Sequence, residues 1–159
     1  MTVVFVTGMS GAGKSATLAE LARRGHDVVD TDAGGWIREV PDPQRGHDRL
    51  WREDRIDALL ADRSAGLLFI SGCVPNQGLF YPRFDAIVLL IAPVEVLLHR
   101  VAARWTNEYG KSDADRALIL DDARNVEPLR RASATDTIDT RRPVAEVGDL
   151  LESIAGVAP

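Results

Sequence analysis

The 159-residue sequence contains a single cysteine, Cys73. One thiol excludes an internal disulfide and a cysteine zinc cluster, and a reduced, cytoplasmic setting is the expectation. Three histidines, His26, His47 and His99, have no metal-ligand spacing. A basic surplus is also missing. Lys and Arg number 19 against 24 Asp and Glu, a net charge of −5, so the electrostatic footprint of a nucleic-acid partner is absent. No apolar run approaches the roughly 20 residues of a membrane span, and the N-terminus lacks a basic-then-apolar export signature. Repeats, low-complexity tracts and linkers are absent too. What remains is ordinary: 45% apolar and 27% charged residues, in a length that fits one domain over 1–159, as monomer or homodimer.

One stretch is not ordinary. Gly8-Met9-Ser10-Gly11-Ala12-Gly13-Lys14-Ser15 fits G-x-x-x-x-G-K-[ST], a loop that cradles phosphates. Its glycines let the backbone fold tightly, so that successive N–H groups point at phosphate oxygens. Lys14 places a cation against the β- and γ-phosphates, and the Ser15 hydroxyl ligates Mg²⁺. The expected nucleotide-binding set is Gly8, Ser10, Gly11, Ala12, Gly13, Lys14, Ser15 and Ala16, with ATP and Mg²⁺ as cofactors. Flanking residues agree. Residues 2–7 are an apolar, β-branched run, as a buried parallel strand requires, and Leu18, Leu21 and Ala22 recur at helical spacing.

Further strands are expected at 27–32, 67–70, 86–91 and around Thr137-Ile138. The run 86–91 is the most apolar and is expected to be central. Helices are expected over 48–63, from Pro93, from about Asp113 and from Pro143, with loops at 74–84 and 106–112. Strands alternating with helices predict a three-layer α/β/α fold with a five-stranded parallel sheet. Ligands then lie at the carboxyl ends of the strands.

Candidate site residues follow from that rule. Asp30 and Asp32 end the second strand, where two carboxylates one residue apart suit a metal and a substrate hydroxyl together. Trp36 follows and is expected to line the acceptor pocket, with Asn76 orienting substrate beyond the third strand. Arg52 is a candidate anion ligand. Arg104 and Lys111 flank the loop near 106–112, where cations closing over phosphate would stabilise developing charge. Trp105 is expected to pack against the core.

Taken together, the motif, Val29-Asp30-Thr31-Asp32, residues 127–131 and Ile138-Asp139-Thr140-Arg141-Arg142-Pro143 resemble the P-loop small-molecule and nucleoside monophosphate kinases, shikimate kinase in particular. The resemblance implies a P-loop kinase fold with a substrate-binding helical segment at about 34–63 and a short lid at about 105–113. It implies that Asp30 supports Mg²⁺ and Asp32 holds the accepting hydroxyl. It implies Arg52 and Arg131 as grips for a substrate anion, Arg104 and Arg142-Pro143 around adenine, and Lys111 as a lid cation. Lys14, Asp32 and Arg104 are the implied catalytic set. The chain departs from shikimate kinases in carrying Ser71-Gly72-Cys73 where they have three glycines, and it lacks the Asp-Gly-Phe-Pro-Arg run of adenylate kinases. The expectation is therefore an ATP-dependent kinase acting on a hydroxyl of a small metabolite. A nucleoside or nucleoside monophosphate kinase, or an ATP-binding protein with no small acceptor, remain as alternatives.

Overall fold

The computed structural model describes residues 1–62, 64, 66–104 and 108–158. Trp105 and the next two residues of the expected lid lie outside the described residues. Five parallel strands form the sheet: β1 (Thr2–Thr7), β2 (Asp27–Asp30), β5 (Leu67–Ser71), β6 (Ala86–Ile91) and β7 (Asp136–Asp139), in the order β2-β5-β1-β6-β7. The strand count and parallel sense are those expected. The centre is β1, however, and not β6. Its register pairs Val4 with Phe69 on one side and with Ala86 on the other. Strand β6 is almost wholly buried because β1 and β7 flank it and helices cover both its faces, so apolar content alone did not distinguish it from the true centre.

Period-two alternation along β1 separates two cores. Val4 and Val6 point to one face and pack with Leu18, Leu21, Val88, Val147 and Leu151. That layer is α1 (Lys14–Arg23) and α6 (Val144–Ile154). Ala22 is exposed, so the buried stripe of α1 is Thr17, Leu18 and Leu21. Val3 and Phe5 point to the other face, with Trp51, Ile56, Leu60, Ile70 and Phe80. Here the cover is α2 (Glu53–Ala61) and a 3-10 helix, Pro75–Arg83, in place of the expected loop. Helices α3 (Val94–Ala103), α4 (Asp113–Asn125) and α5 (Glu127–Ser133) complete the β6-to-β7 crossover. Arg24 ties the first layer together through Glu20, Asp149 and Glu152, and Arg23 and Arg24 hold the Glu20 carboxyl down to about 2.

The helix expected over 48–63 is a correction. Residues Ile37–Asp42 (β3) and Gly46–Trp51 (β4) form an antiparallel hairpin, and helix α2 starts only at Glu53. Its turn is made locally. The Asp42 carboxylate accepts from the amides of Gln44 and Arg45, and Gly46 takes the left-handed conformation at φ 83°. A long-range anchor decides the rest. Trp51 is fully buried, its indole N–H donates to Thr31 Oγ1 at 2.8 Å, and its ring meets Phe5 and Phe80 edge-on. Gly72 makes room for it: a Cβ there would lie 2.5 Å from Thr31 Oγ1 and 2.9 Å from the Trp51 ring.

Candidate active site

Gly8 to Gly13 make the turn from β1 into α1. Gly11 and Gly13 sit at φ 83° and 97°, left-handed conformations in which side chains are strained. Gly11 also touches its neighbour closely. A Cβ would come 2.8 Å from the Leu97 carbonyl and 2.9 Å from Val101 Cγ2 on α3. Gly11→Ala is therefore expected to push the loop off α3, costing about 1–3 kcal/mol of stability and at least about tenfold in Mg-ADP affinity. Thermal melting and calorimetric titration would check both.

Lys14 lies across the loop and donates to the Gly8 carbonyl at 2.6 Å and to the Met9 carbonyl at 3.2 Å. Ser15 Oγ donates to Asp30 Oδ2 at 2.8 Å. The other Asp30 oxygen accepts from the Asp32 amide at 3.1 Å, which fixes the end of β2 beside the loop. Asp32 itself is exposed, with Arg49 Nη1 4.0 Å from its carboxylate. Thus Ser15, Asp30 and Asp32 are brought together at one strand end. Arg104 leaves α3 toward the same loop, donating to Ser10 Oγ at 3.4 Å and to the Tyr109 carbonyl at 3.1 Å.

Beside Gly13 and Ala16 is a cavity of about 280 Å³, lined also by Thr17, Arg100, Thr140, Arg142 and Val144. Arg142 borders it while donating to the Asp139 carbonyl, and Pro143 caps α6 next to it. The Asp139 carboxyl, gripped by the Arg141 guanidinium, is held down to about 2. Apolar walls, backbone and two arginines suit a flat heteroaromatic base.

Several expected residues stand elsewhere. Arg52 is exposed at the start of α2, with Asp54 4.0 Å away. The reason is the hairpin, which puts Arg49 at Asp32 instead. Arg131 pairs with Glu127 at 3.1 Å and lines a separate groove between α3, α4 and β7. Its neighbour Arg130 is the one that turns inward, donating to the Val74 carbonyl at 3.0 Å. The Asn76 amide brackets the Trp51 backbone, accepting from its N–H at 2.9 Å and donating to its C=O at 3.1 Å. Trp36 is half-buried under the Arg55 guanidinium, 4.7 Å from the ring centroid. Lys111 is paired with Glu108 at 3.3 Å.

Two residues were given no role from the sequence. Arg100 donates to the Gly11 carbonyl at 3.2 Å and to Thr140 Oγ1 and O at 2.9 and 2.7 Å, while the Thr140 hydroxyl donates to the Ala12 carbonyl at 2.8 Å. Together they clamp the Gly11 and Ala12 carbonyls of the loop, while the Ala12 amide donates to the Met9 carbonyl at 3.0 Å. Arg100 sits one helical turn before Arg104, and that i, i+4 pair was the only sequence signal.

With this geometry in hand, the comparisons are specific. A family model described as AAA domain matches residues 4–121. The chain belongs to that family. As a member, it has the P-loop kinase fold, and solved kinases superpose over nearly its whole length. It is similar to shikimate kinase from Acinetobacter baumannii in complex with shikimate, at 20% identity, covering 98% of this chain and 94% of that one with a TM-score of 0.65. Shikimate kinase from Bacteroides thetaiotaomicron matches at 16% identity, covering 98% of each chain, with a TM-score of 0.67. A gluconokinase from Sinorhizobium meliloti 1021 matches at 19% identity over 98% of this chain and 91% of that one, with a TM-score of 0.59. No curated protein matches the sequence. These likenesses place the AAA domain described here among kinase-like folds. Among its described residues, no helix is long and apolar enough to cross a membrane.

Proposed function

We propose that this protein is an ATP-dependent kinase that transfers the γ-phosphoryl group to a hydroxyl of a small metabolite. The observation that carries the proposal is the hydrogen bond from Ser15 Oγ to Asp30 Oδ2 at the foot of the phosphate loop, with Asp32 one step further out. That is the donor set an octahedral, phosphate-bound Mg²⁺ needs from protein: one hydroxyl and one carboxylate, the rest coming from phosphates and water. Among the described residues no cluster of three acidic, histidine or cysteine side chains could hold a metal by itself, in keeping with a metal that arrives with nucleotide. The cradle fits the group in other ways. A Cβ at Gly13 would have no neighbour nearer than 3.9 Å, and the buried Arg104 Nε has no hydrogen-bond partner among the described residues.

Bound, Mg-ATP supplies the electrophilic phosphorus and the leaving diphosphate. The chain's own residues do the rest. Loop amides and Lys14 hold the phosphates, and Arg104 adds a second cation beside Ser10. Asp32 orients the acceptor hydroxyl and takes its proton. Arg49, the cation nearest Asp32, takes the anion-gripping place that the resemblance gave to Arg52, and Arg142 with Pro143 borders the base.

The test is transfer from γ-labelled ATP to a panel of hydroxy acids, sugars and nucleosides, with melting curves in Mg-ADP alongside. Transfer to one class is expected, and Asp32→Asn is expected to slow it by about 10²–10⁴-fold while leaving the Mg-ADP stabilisation intact. Slow ATP hydrolysis that responds to no acceptor and is indifferent to Asp32→Asn would instead favour a hydrolysing protein without a small acceptor.

A further inference from the structure

The hairpin that replaced the expected helix does more than pack. Its base is locked into the core at Trp51, yet its tip reaches 77 residues along the chain to α4, where Arg45 Nη2 donates to Asp122 Oδ1 at 2.9 Å. Asp121 precedes that partner, and Asp48 lies behind on the hairpin itself, so the tip arginine sits in an acidic setting. Halfway along, Arg49 faces Asp32. On the far side, Gly110 donates to Asp115 on α4 and would collide with Val101 and Ile119 if it carried a side chain. Tyr109, just before it, accepts at its carbonyl from Arg104, which in turn meets Ser10.

These contacts close a circuit. It runs from Ser10 through Arg104, Tyr109 and α4 to Arg45, then along the hairpin through Arg49 to Asp32, Asp30 and Ser15. It begins and ends on the phosphate loop. We propose that the β3–β4 hairpin is a strap across the acceptor side of the cleft, fastened to α4 by the Arg45–Asp122 ion pair, so that an acceptor is admitted when that pair opens. The proposal rests on the kinase reading for what the cleft takes, but not for the strap itself. A half-exposed pair suits this use, because it is weak enough to break on each cycle. The cavity beside Gly13 and Arg142 is lined by none of the hairpin residues, so a base seated there does not touch the strap.

Hydrogen exchange on the full chain, read by mass spectrometry, tests this without knowing the acceptor. Arg45→Glu and Asp122→Arg each reverse one charge. Each is expected to speed exchange of the hairpin amides between 38 and 51 by roughly two- to fivefold, with the double variant returning to near the wild-type rate. Calorimetric Mg-ADP affinity is expected to stay within about twofold in all three variants. Hairpin exchange indifferent to either single change, or not restored in the pair, would overturn the strap. A tenfold loss of Mg-ADP affinity in the single variants would also overturn it, by placing the hairpin at the nucleotide. Failure of the wild-type protein to bind Mg-ADP would count against the kinase reading and leave the exchange result to judge the strap.

Discussion

Lys14→Ala is expected to lower phosphoryl transfer by about 10²–10³-fold. That is the usual consequence of removing one fixed positive group from a site where charge develops in a water-poor setting, about 2.7–4 kcal/mol. The starting geometry makes the estimate concrete. The ammonium now rests on the Gly8 and Met9 carbonyls at 2.6 and 3.2 Å, so it spans the loop it serves and needs only a short swing to reach phosphate oxygens. Its removal deletes both a cation and an internal brace. Mg-ADP affinity should therefore fall as well, which distinguishes it from Asp32→Asn. Single-turnover transfer from labelled ATP, with ADP titration alongside, provides the check. Normal turnover in the alanine variant would refute the site.

Trp51→Ala is expected to be the most destabilising single change in the chain, at about 3–5 kcal/mol. No part of the ring is exposed, and it fills the space between Phe5, Phe80 and the Gly72 backbone. For a domain of this size such a loss lowers the melting temperature by about 6–20 °C. Trp51→Phe keeps most of the volume and forfeits the indole bond to Thr31, so it should cost about 1–2 kcal/mol. Trp51 also closes the hairpin, which means that transfer should fall in Trp51→Ala even at temperatures where the protein stays folded. Thermal melting by circular dichroism with activity measured at low temperature would separate the two losses.

The parts of this protein that could be read in advance share one property, which is that they are short in sequence. A buried strand, a glycine-rich turn and a helix start occupy residues 2–23, and every group that makes the cradle is within eight positions of Gly8. Asp30 and Asp32 were readable because strand ends in a parallel sheet gather at one edge. The hairpin was not. Apolar positions Leu50, Trp51, Ile56, Leu59 and Leu60 fit a ragged helical stripe as well as a strand followed by a helix, and the charges between 38 and 49 gave no clear alternation. Only the partners of Trp51, twenty to forty-six residues away at Thr31, Asn76 and Phe5, decide between them.

The arginines teach the same lesson. Sequence placed Arg52 and Arg131 at the acceptor; the fold turns Arg49 to Asp32 and Arg130 to Val74. A helix rotates each successive residue by about 100°, so the neighbours Arg130 and Arg131 point apart, while Arg49 and Arg52, which would share a face of the expected helix, fall on a strand and at a helix start. Arg100 was invisible for a different reason, since its targets at Gly11 and Thr140 lie 89 and 40 residues off.

By itself, then, the sequence determined the layered parallel fold, the phosphate loop with Lys14 and Ser15, and the carboxylates beside it, because local backbone chemistry and strand order suffice for those. The tertiary structure alone decided which arginine stands beside Asp32, what clamps the loop, and that a hairpin reaches from there to α4. Those outcomes depend on packing between distant segments, where one buried indole outweighs the preferences of a dozen neighbouring residues.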